Sequence, residues 1–111
     1  MKTLSLKLNK EALNLAPEDA TKSDAEIVSS VVENVILGYA NQVRGLDEKE
    51  RRQFYKISDA LDEAKKNKAE TVQFEDEWSG FIKKCFKEAK LMPNKLLKQI
   101  EDIINESLRN V

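Results

Sequence analysis

The sequence predicts a mainly α protein: about four packed helices carrying a short N-terminal β-hairpin or small sheet. Three observations predict it. Apolar residues recur at spacings of three, four and seven through most of the chain, helix-start signals stand ahead of those runs, and one segment near the N-terminus alternates strictly instead. A chain of 111 residues has room for one domain with its own core and not for two, so residues 1–111 are read as a single domain. An all-helical bundle with a frayed start is the alternative.

The elements follow in order. Thr3 to Leu8 alternates, placing Leu4, Leu6 and Leu8 on one face, and Leu13 and Leu15 resume the alternation after Asn9-Lys10-Glu11. That pattern suits a short hairpin, which is marginal in water unless it lies on something. Residues 16–23, with Pro17 and several polar side chains, read as a loop. Ser23 followed by Glu26 has the form of a capping box. Ile27, Val28, Val31, Val32, Val35, Ile36 and Tyr39 then share a helical face, so a helix is expected over 24–43, stopped near Gly45. Its β-branched residues lower the intrinsic propensity, but period and cap agree.

Asp47 opens the next helix as N-cap, with acids in the first turn where the helix dipole favours them. Phe54, Ile57, Leu61 and Ala64 form a narrow stripe. Asp47–Arg51, Glu48–Arg52 and Asp62–Lys66 are i,i+4 pairs, each contributing roughly 0.2–0.5 kcal/mol. Thr71 to Phe74 alternates briefly and is a candidate further strand. A third helix is expected over 76–91, with the stripe Trp78, Phe81, Ile82, Cys85, Phe86, Ala89. Gly80 interrupts it at a cost of about 1 kcal/mol relative to alanine, and close packing against a neighbour is the expected reason. Met92-Pro93-Asn94 breaks the chain before a last helix over 94–109, with Leu96, Leu97, Ile100, Ile103, Ile104 and Leu108 on one face.

The chemistry is sparse. The chain holds no histidine, one cysteine and three glycines, which removes the parts most small active sites are made from, so no catalytic residue, metal or cofactor is expected. Cys85 lies in an apolar stripe, where a free thiol behaves as a small hydrophobe, and nothing beside it in the sequence supplies the base of a catalytic thiol. Same-face acid pairs occur at Asp47/Glu50, Asp59/Asp62, Asp59/Glu63 and Asp102/Glu106. The first is explained by capping. The cluster Asp59, Asp62, Glu63 reads as a solvated helix face, leaving an acid-only metal hydrolase as a distant third possibility.

Two surface features are left. Tyr55 stands off the Phe54–Ile57–Leu61 line beside Arg51 and Arg52, and tyrosine and arginine are favoured at binding hot spots, so Arg51, Arg52 and Tyr55 are the candidate partner-binding patch. Lys83, Lys84, Lys87, Lys90, Lys95 and Lys98 gather with Glu88 as the only acid among them. Lys83, Lys87 and Lys90 would share a face able to meet phosphates, which is the alternative, nucleic-acid reading. All six are lysine rather than the arginine favoured for base reading, and acids bracket the cluster. A net charge of −1 argues neither for a nucleic-acid glove nor for an acidic tail. Self-association is the remaining option should the wide apolar faces of the first and last helices exceed what one core absorbs. No stretch resembles a signal peptide or membrane span, and a reducing cytoplasm fits the lone cysteine.

Order and pattern carry a resemblance. The alternating start is followed by Glu33-Asn34-Val35-Ile36-Leu37, then by Gly45-Leu46-Asp47-Glu48-Lys49-Glu50-Arg51-Arg52 leading into Phe54-Tyr55-Lys56-Ile57, and by Val72-Gln73-Phe74-Glu75-Asp76. From roughly residue 23 to 105 the chain resembles small proteins of uncharacterised function encoded by tailed bacteriophages and prophages. The resemblance implies a phage context, where small non-enzymatic proteins act as assembly factors, adaptors or inhibitors of host machinery, and it carries no catalytic residues. The reading is a non-catalytic protein-interaction module of the host cytoplasm.

Overall fold

The computed structural model describes residues 1–108. Arg109, where the expected last helix would end, lies outside the described residues. Strand β1 (Lys2–Ser5) is followed by a single 3-10 turn (Lys10–Ala12), a one-turn helix α1 (Pro17–Ala20), and the long helices α2 (Asp24–Gln42) and α3 (Glu48–Lys66). Strand β2 (Thr71–Phe74), helix α4 (Asp76–Glu88) and helix α5 (Lys95–Ser107) complete the order. The expected class is found: four substantial helices and a small sheet.

The sheet's second strand is β2. It pairs antiparallel with β1 in the register Lys2↔Phe74, Leu4↔Val72, so Leu4 lies opposite Val72 with both buried. Leu13 and Leu15 form no strand, because the backbone that a hairpin would have paired finds side chains instead. The Leu8 amide donates to Asp24 Oδ2 at 3.0 Å, and the Gln99 carboxamide takes both backbone groups of Asn9, accepting from its amide at 3.1 Å and donating to its carbonyl at 3.0 Å. Satisfied this way, the chain turns at Lys10 and tucks Leu13 into a buried position. Residues 17–20 also depart from the expected loop: Pro17 fits the first helical position, and Glu18 and Asp19 favour a helix N-terminus.

Both long-helix starts follow the sequence. The Ser23 hydroxyl accepts from the Glu26 amide at 3.2 Å. Asp47 and Glu50 form a full capping box, with the Glu50 amide donating to Asp47 at 2.8 Å and the Asp47 amide to Glu50 at 3.2 Å. Of the three expected i,i+4 pairs only Glu48–Arg52 forms; Asp62 pairs with Lys65 and Arg51 donates to the Leu46 carbonyl.

The helix ends show two surprises. After α2 the Gly45 amide reaches back to the Ala40 carbonyl and the Arg44 amide to Asn41, while after α3 the Ala69 amide reaches Ala64 and the Lys68 amide Lys65. These are Schellman ends, but the left-handed position is held by Arg44 (φ 61°) and Lys68 (φ 49°), not by glycine. Gly45 stands one residue later, at φ 114°. A left-handed residue with a Cβ costs roughly 1–2 kcal/mol. Lys68→Gly is therefore expected to stabilise the protein by about 0.5–1 kcal/mol, since Lys65 and Lys66 still offset the α3 dipole. Arg44→Gly should gain less, because the last turn of α2 has no other basic residue. Guanidinium midpoints of the two variants check the ranking.

Helix α4 stops at Glu88, short of the expected 91. Gln42 on α2 clamps Lys90, accepting from its amide and donating to its carbonyl, both at 3.0 Å, and Ala89 is drawn into an extended conformation. One core joins every layer. Leu4, Leu6, Val28, Val32, Ile36, Ile57, Leu61, Phe74, Ile82, Cys85, Ile100, Ile104 and Leu108 are fully buried within it. Sheet and α5 meet at the chain's two ends, where Lys2 Nζ donates to the Leu108 carbonyl at 3.2 Å. Gly80 departs from expectation. It is exposed, and a Cβ there would meet nothing within 4 Å, so no neighbour explains it.

Candidate functional site

The wide apolar face of α2 and the stripe of α5 are consumed by the core, so little of either remains for a surface. Few large apolar residues stay outside: Met1, Leu37, Val43, Tyr55 and Met92 are the exposed ones among the described residues. Tyr55 on α3 is 58% exposed and Leu37 on α2 is 50% exposed. A hydrogen bond from the Ser58 hydroxyl to Glu33 at 3.3 Å ties the two helices. Leu37 lies one turn along α2 from Glu33, and Phe54 lies one turn back along α3 from Ser58, so the helix hairpin brings Leu37 level with Phe54 and Tyr55. Phe54 is half-buried, and its ring lies 6.1 Å from that of Tyr55.

Arg51 and Arg52 flank this spot and are both exposed. Arg51 turns its guanidinium onto the Leu46 carbonyl at 2.6 Å. Arg52 pairs with Glu48 and faces the other way, into a groove of about 590 Å³ between the starts of α3 and α4 that is also lined by Lys49, Lys56 and Trp78. All three candidate residues are exposed on α3, but Arg52 lines the α3–α4 groove, which Arg51 and Tyr55 do not. In the groove Lys49 and Glu77 stand 3.0 Å apart, and hydrogen bonding and charge from Lys49 hold the Glu77 carboxyl below its ordinary range. Leu37 was not legible as part of the patch: it belongs to α2, and only the crossing of two helices brings it there.

The lysines divide. Lys83 and Lys87 lie one turn apart on α4 and line a cleft of about 580 Å³ shared with Gly80, Phe86, Glu88, Glu101 and Asn105. Lys90 does not share their face, since α4 has ended and its backbone is held by Gln42. Lys84 also lines the cleft but is engaged, with Nζ 3.5 Å from Glu50 and 5.7 Å from the Tyr39 ring centre; hydrogen bonding to Tyr39, reinforced by Glu50, raises its pKa.

The acids are engaged as surface groups: Asp62 with Lys65, Glu63 with Asn67, Asp102 with Lys98. Among the described residues no three acids, or acids with Cys85, stand close enough together to hold a metal ion. No helix is long and apolar enough to cross a membrane.

Cys85 is completely buried, and burial, with a smaller effect from Glu50, pushes its thiol up to about 12. Native protein should not react with a thiol reagent on the timescale that the unfolded chain does. The sign of the pH effect follows: above about 9 the unfolded thiol ionises while the native one keeps its proton, so stability falls as pH rises from about 9 towards 12. Denaturant midpoints of wild type and Cys85→Ala across that range should converge, the variant starting lower and showing the shallower decline.

Comparison with protein-family models, with curated proteins and with solved structures finds no match.

Proposed function

We propose that this protein is a non-catalytic protein-interaction module whose contact surface is the outer face of the α2–α3 hairpin. The observation that carries the reading is the exposure of Tyr55 on α3, one helical turn from exposed Arg51, with Leu37 exposed on the neighbouring α2, in a chain whose helices have spent most of their large apolar residues on the core. An aromatic and an arginine around a small apolar centre have the composition of a binding hot spot. The phage context suggested by the sequence fits such a role, with a host or virion protein as the partner.

The nucleic-acid alternative draws less support. Only Lys83 and Lys87 of its three lysines share a face, and Glu88 and Glu101 line the same cleft. Its signature would be binding that falls steeply with salt.

The test uses wild type, the triple variant Arg51→Ala/Arg52→Ala/Tyr55→Ala, and Lys83→Ala/Lys87→Ala as baits in a bacterial lysate, with bound proteins identified by mass spectrometry. One protein retained by wild type and the lysine variant, and weakened about thirtyfold or more by the triple substitution, is the expected result. Its melting temperature should stay nearly unchanged, since all three side chains are exposed. Equal capture by the triple variant would overturn the assignment of this face.

A further inference from the structure

A two-stranded sheet has two outer edges, and this protein closes only one of them. The Leu6 amide donates to the Glu70 carbonyl at 2.8 Å, which fixes the phase of the ladder: Leu4 with Val72 and Lys2 with Phe74 are the hydrogen-bonded pairs. The backbone groups of Thr3 and Ser5 therefore point off the β1 edge, and those of Thr71 and Gln73 off the β2 edge. Helix α5 guards the first: Ser107 Oγ accepts from the Ser5 amide at 3.4 Å, and the Leu108 carbonyl takes Lys2 Nζ at 3.2 Å. The second is open. Among the described residues nothing accepts from the outward amides of Thr71 and Gln73 or donates to their carbonyls, and both side chains are exposed. Proteins commonly protect such an edge with a lysine, a proline or a bulge. Thr71 to Phe74 has none of these, and the outer face of the sheet, Thr3, Ser5, Thr71 and Gln73, is uncharged in a chain that is 35% charged.

We infer that the open edge of β2 pairs with β2 of a second copy of this chain, antiparallel about a two-fold axis at Val72, making a continuous four-stranded sheet. Outward amides and carbonyls at strand spacing fit an extended backbone. Charge selects the copy and its register. With Val72 opposite Val72, Thr71 faces Gln73, Glu70 faces Phe74 and Ala69 faces Glu75, while exposed Lys68 faces exposed Asp76 once on each side of the axis. Among the described residues Lys68 has no ion pair, and Asp76 meets only the N-terminal amine, at 3.5 Å through one oxygen. Sliding one copy by a pair either sets Glu70 against Asp76 or separates Lys68 from Asp76, so both adjacent registers are worse. The pairing uses none of Arg51, Arg52 and Tyr55, and it stands apart from the α2–α3 face.

Sedimentation velocity of the full-length protein from about 10 µM to about 1 mM tests the inference, a range suited to the weak affinity of a small interface. A reversible monomer–dimer equilibrium is expected. In hydrogen exchange the Thr71 and Gln73 amides, free in the monomer, should slow most as concentration rises, and those of Val72 and Phe74, already bonded to β1, least. Gln73→Pro removes an amide that faces away from β1, so the variant should fold and stay monomeric. Lys68→Asp and Asp76→Lys should each dimerise about tenfold less tightly or worse. An equimolar mixture of the two should recover wild-type affinity as a heterodimer, because every aspartate then faces a lysine. A monomer throughout the range, a dimer undisturbed by Gln73→Pro, or charge variants that mixing fails to rescue would each overturn the inference, the first leaving the edge to a foreign strand.

Discussion

Deleting residues 1–8 is expected to abolish cooperative unfolding. The segment looks minor, a single four-residue strand and its continuation, but Leu4 and Leu6 are both completely buried. Losing a buried leucine costs about 2–5 kcal/mol, so the two together approach the roughly 5–15 kcal/mol that holds a typical domain folded. The deletion also strips β2 of its strand neighbour β1 and leaves the amide partners of Leu6 and Leu8, the Glu70 carbonyl and Asp24, without them. Helical circular dichroism should largely persist while the sigmoidal denaturant transition is lost and an apolar dye binds. A sharp transition near the wild-type midpoint would show instead that the helices close a core without the sheet.

Phe74→Ala is the second large effect, expected to cost about 3–5 kcal/mol. Phe74 is fully buried at the end of β2, and its ring meets Trp78 edge-on with centroids 6.3 Å apart. It therefore links strand to helix across one residue of connection, and an alanine leaves a cavity that neither the paired strand nor the first turn of α4 can collapse to fill. At about 4–8 °C per kcal/mol for a domain near this size, the melting temperature should drop by more than about 12 °C. Trp78 fluorescence reports the same event locally. Phe74→Leu, which keeps most of the volume, should cost far less; equal losses in the two variants would argue that the aromatic edge contact, not the cavity, dominates.

Much of this architecture is legible in the sequence, for reasons that are local. Helices α2 and α3 announce themselves because period and cap coincide within a few residues: Ser23 with Glu26, Asp47 with Glu50. The alternation at Thr3–Leu8 marks a strand that in the structure spans Lys2–Ser5, and Val72 and Phe74 alternate because one face of a two-stranded sheet is covered. What could not be read depends on long-range side-chain bonds. Two glutamines, Gln42 and Gln99, each grip both backbone groups of a distant residue, ending α4 early and replacing the hairpin after Leu8. Nothing in their neighbourhood distinguishes them from solvated glutamines. The left-handed Arg44 and Lys68 are hidden for a different reason, since the closing bonds from the Gly45 and Ala69 amides to the Ala40 and Ala64 carbonyls accompany a conformation that the chemistry of arginine and lysine disfavours.

The candidate surfaces divide in the same way. Arg51, Arg52 and Tyr55 are all exposed on α3, as helical phase alone decides, but only Arg52 lines the groove against α4. Leu37 joins them only through the crossing of two helices, and Lys90 leaves the lysine face only because the helix stops. Gly80 shows the reverse case: its cost is plain in the sequence, but the expected packing partner does not exist.

The placement of β1 also governs how the protein comes together in time. Small helical proteins fold fast because most of their contacts lie close along the chain. Here the first strand pairs with residues some seventy positions downstream and closes against α5, the separation between Lys2 and Leu108 being 106 residues. At a synthesis rate of about 5–20 residues per second, Leu4 and Leu6 emerge several seconds before the surfaces that will cover them. The early helices have time to form, but the core cannot seal until its last layer arrives. Refolding should accordingly run slower than the helix content suggests, in milliseconds or longer rather than microseconds, and the nascent chain spends that interval with an unpaired apolar strand open to chaperones and to other chains.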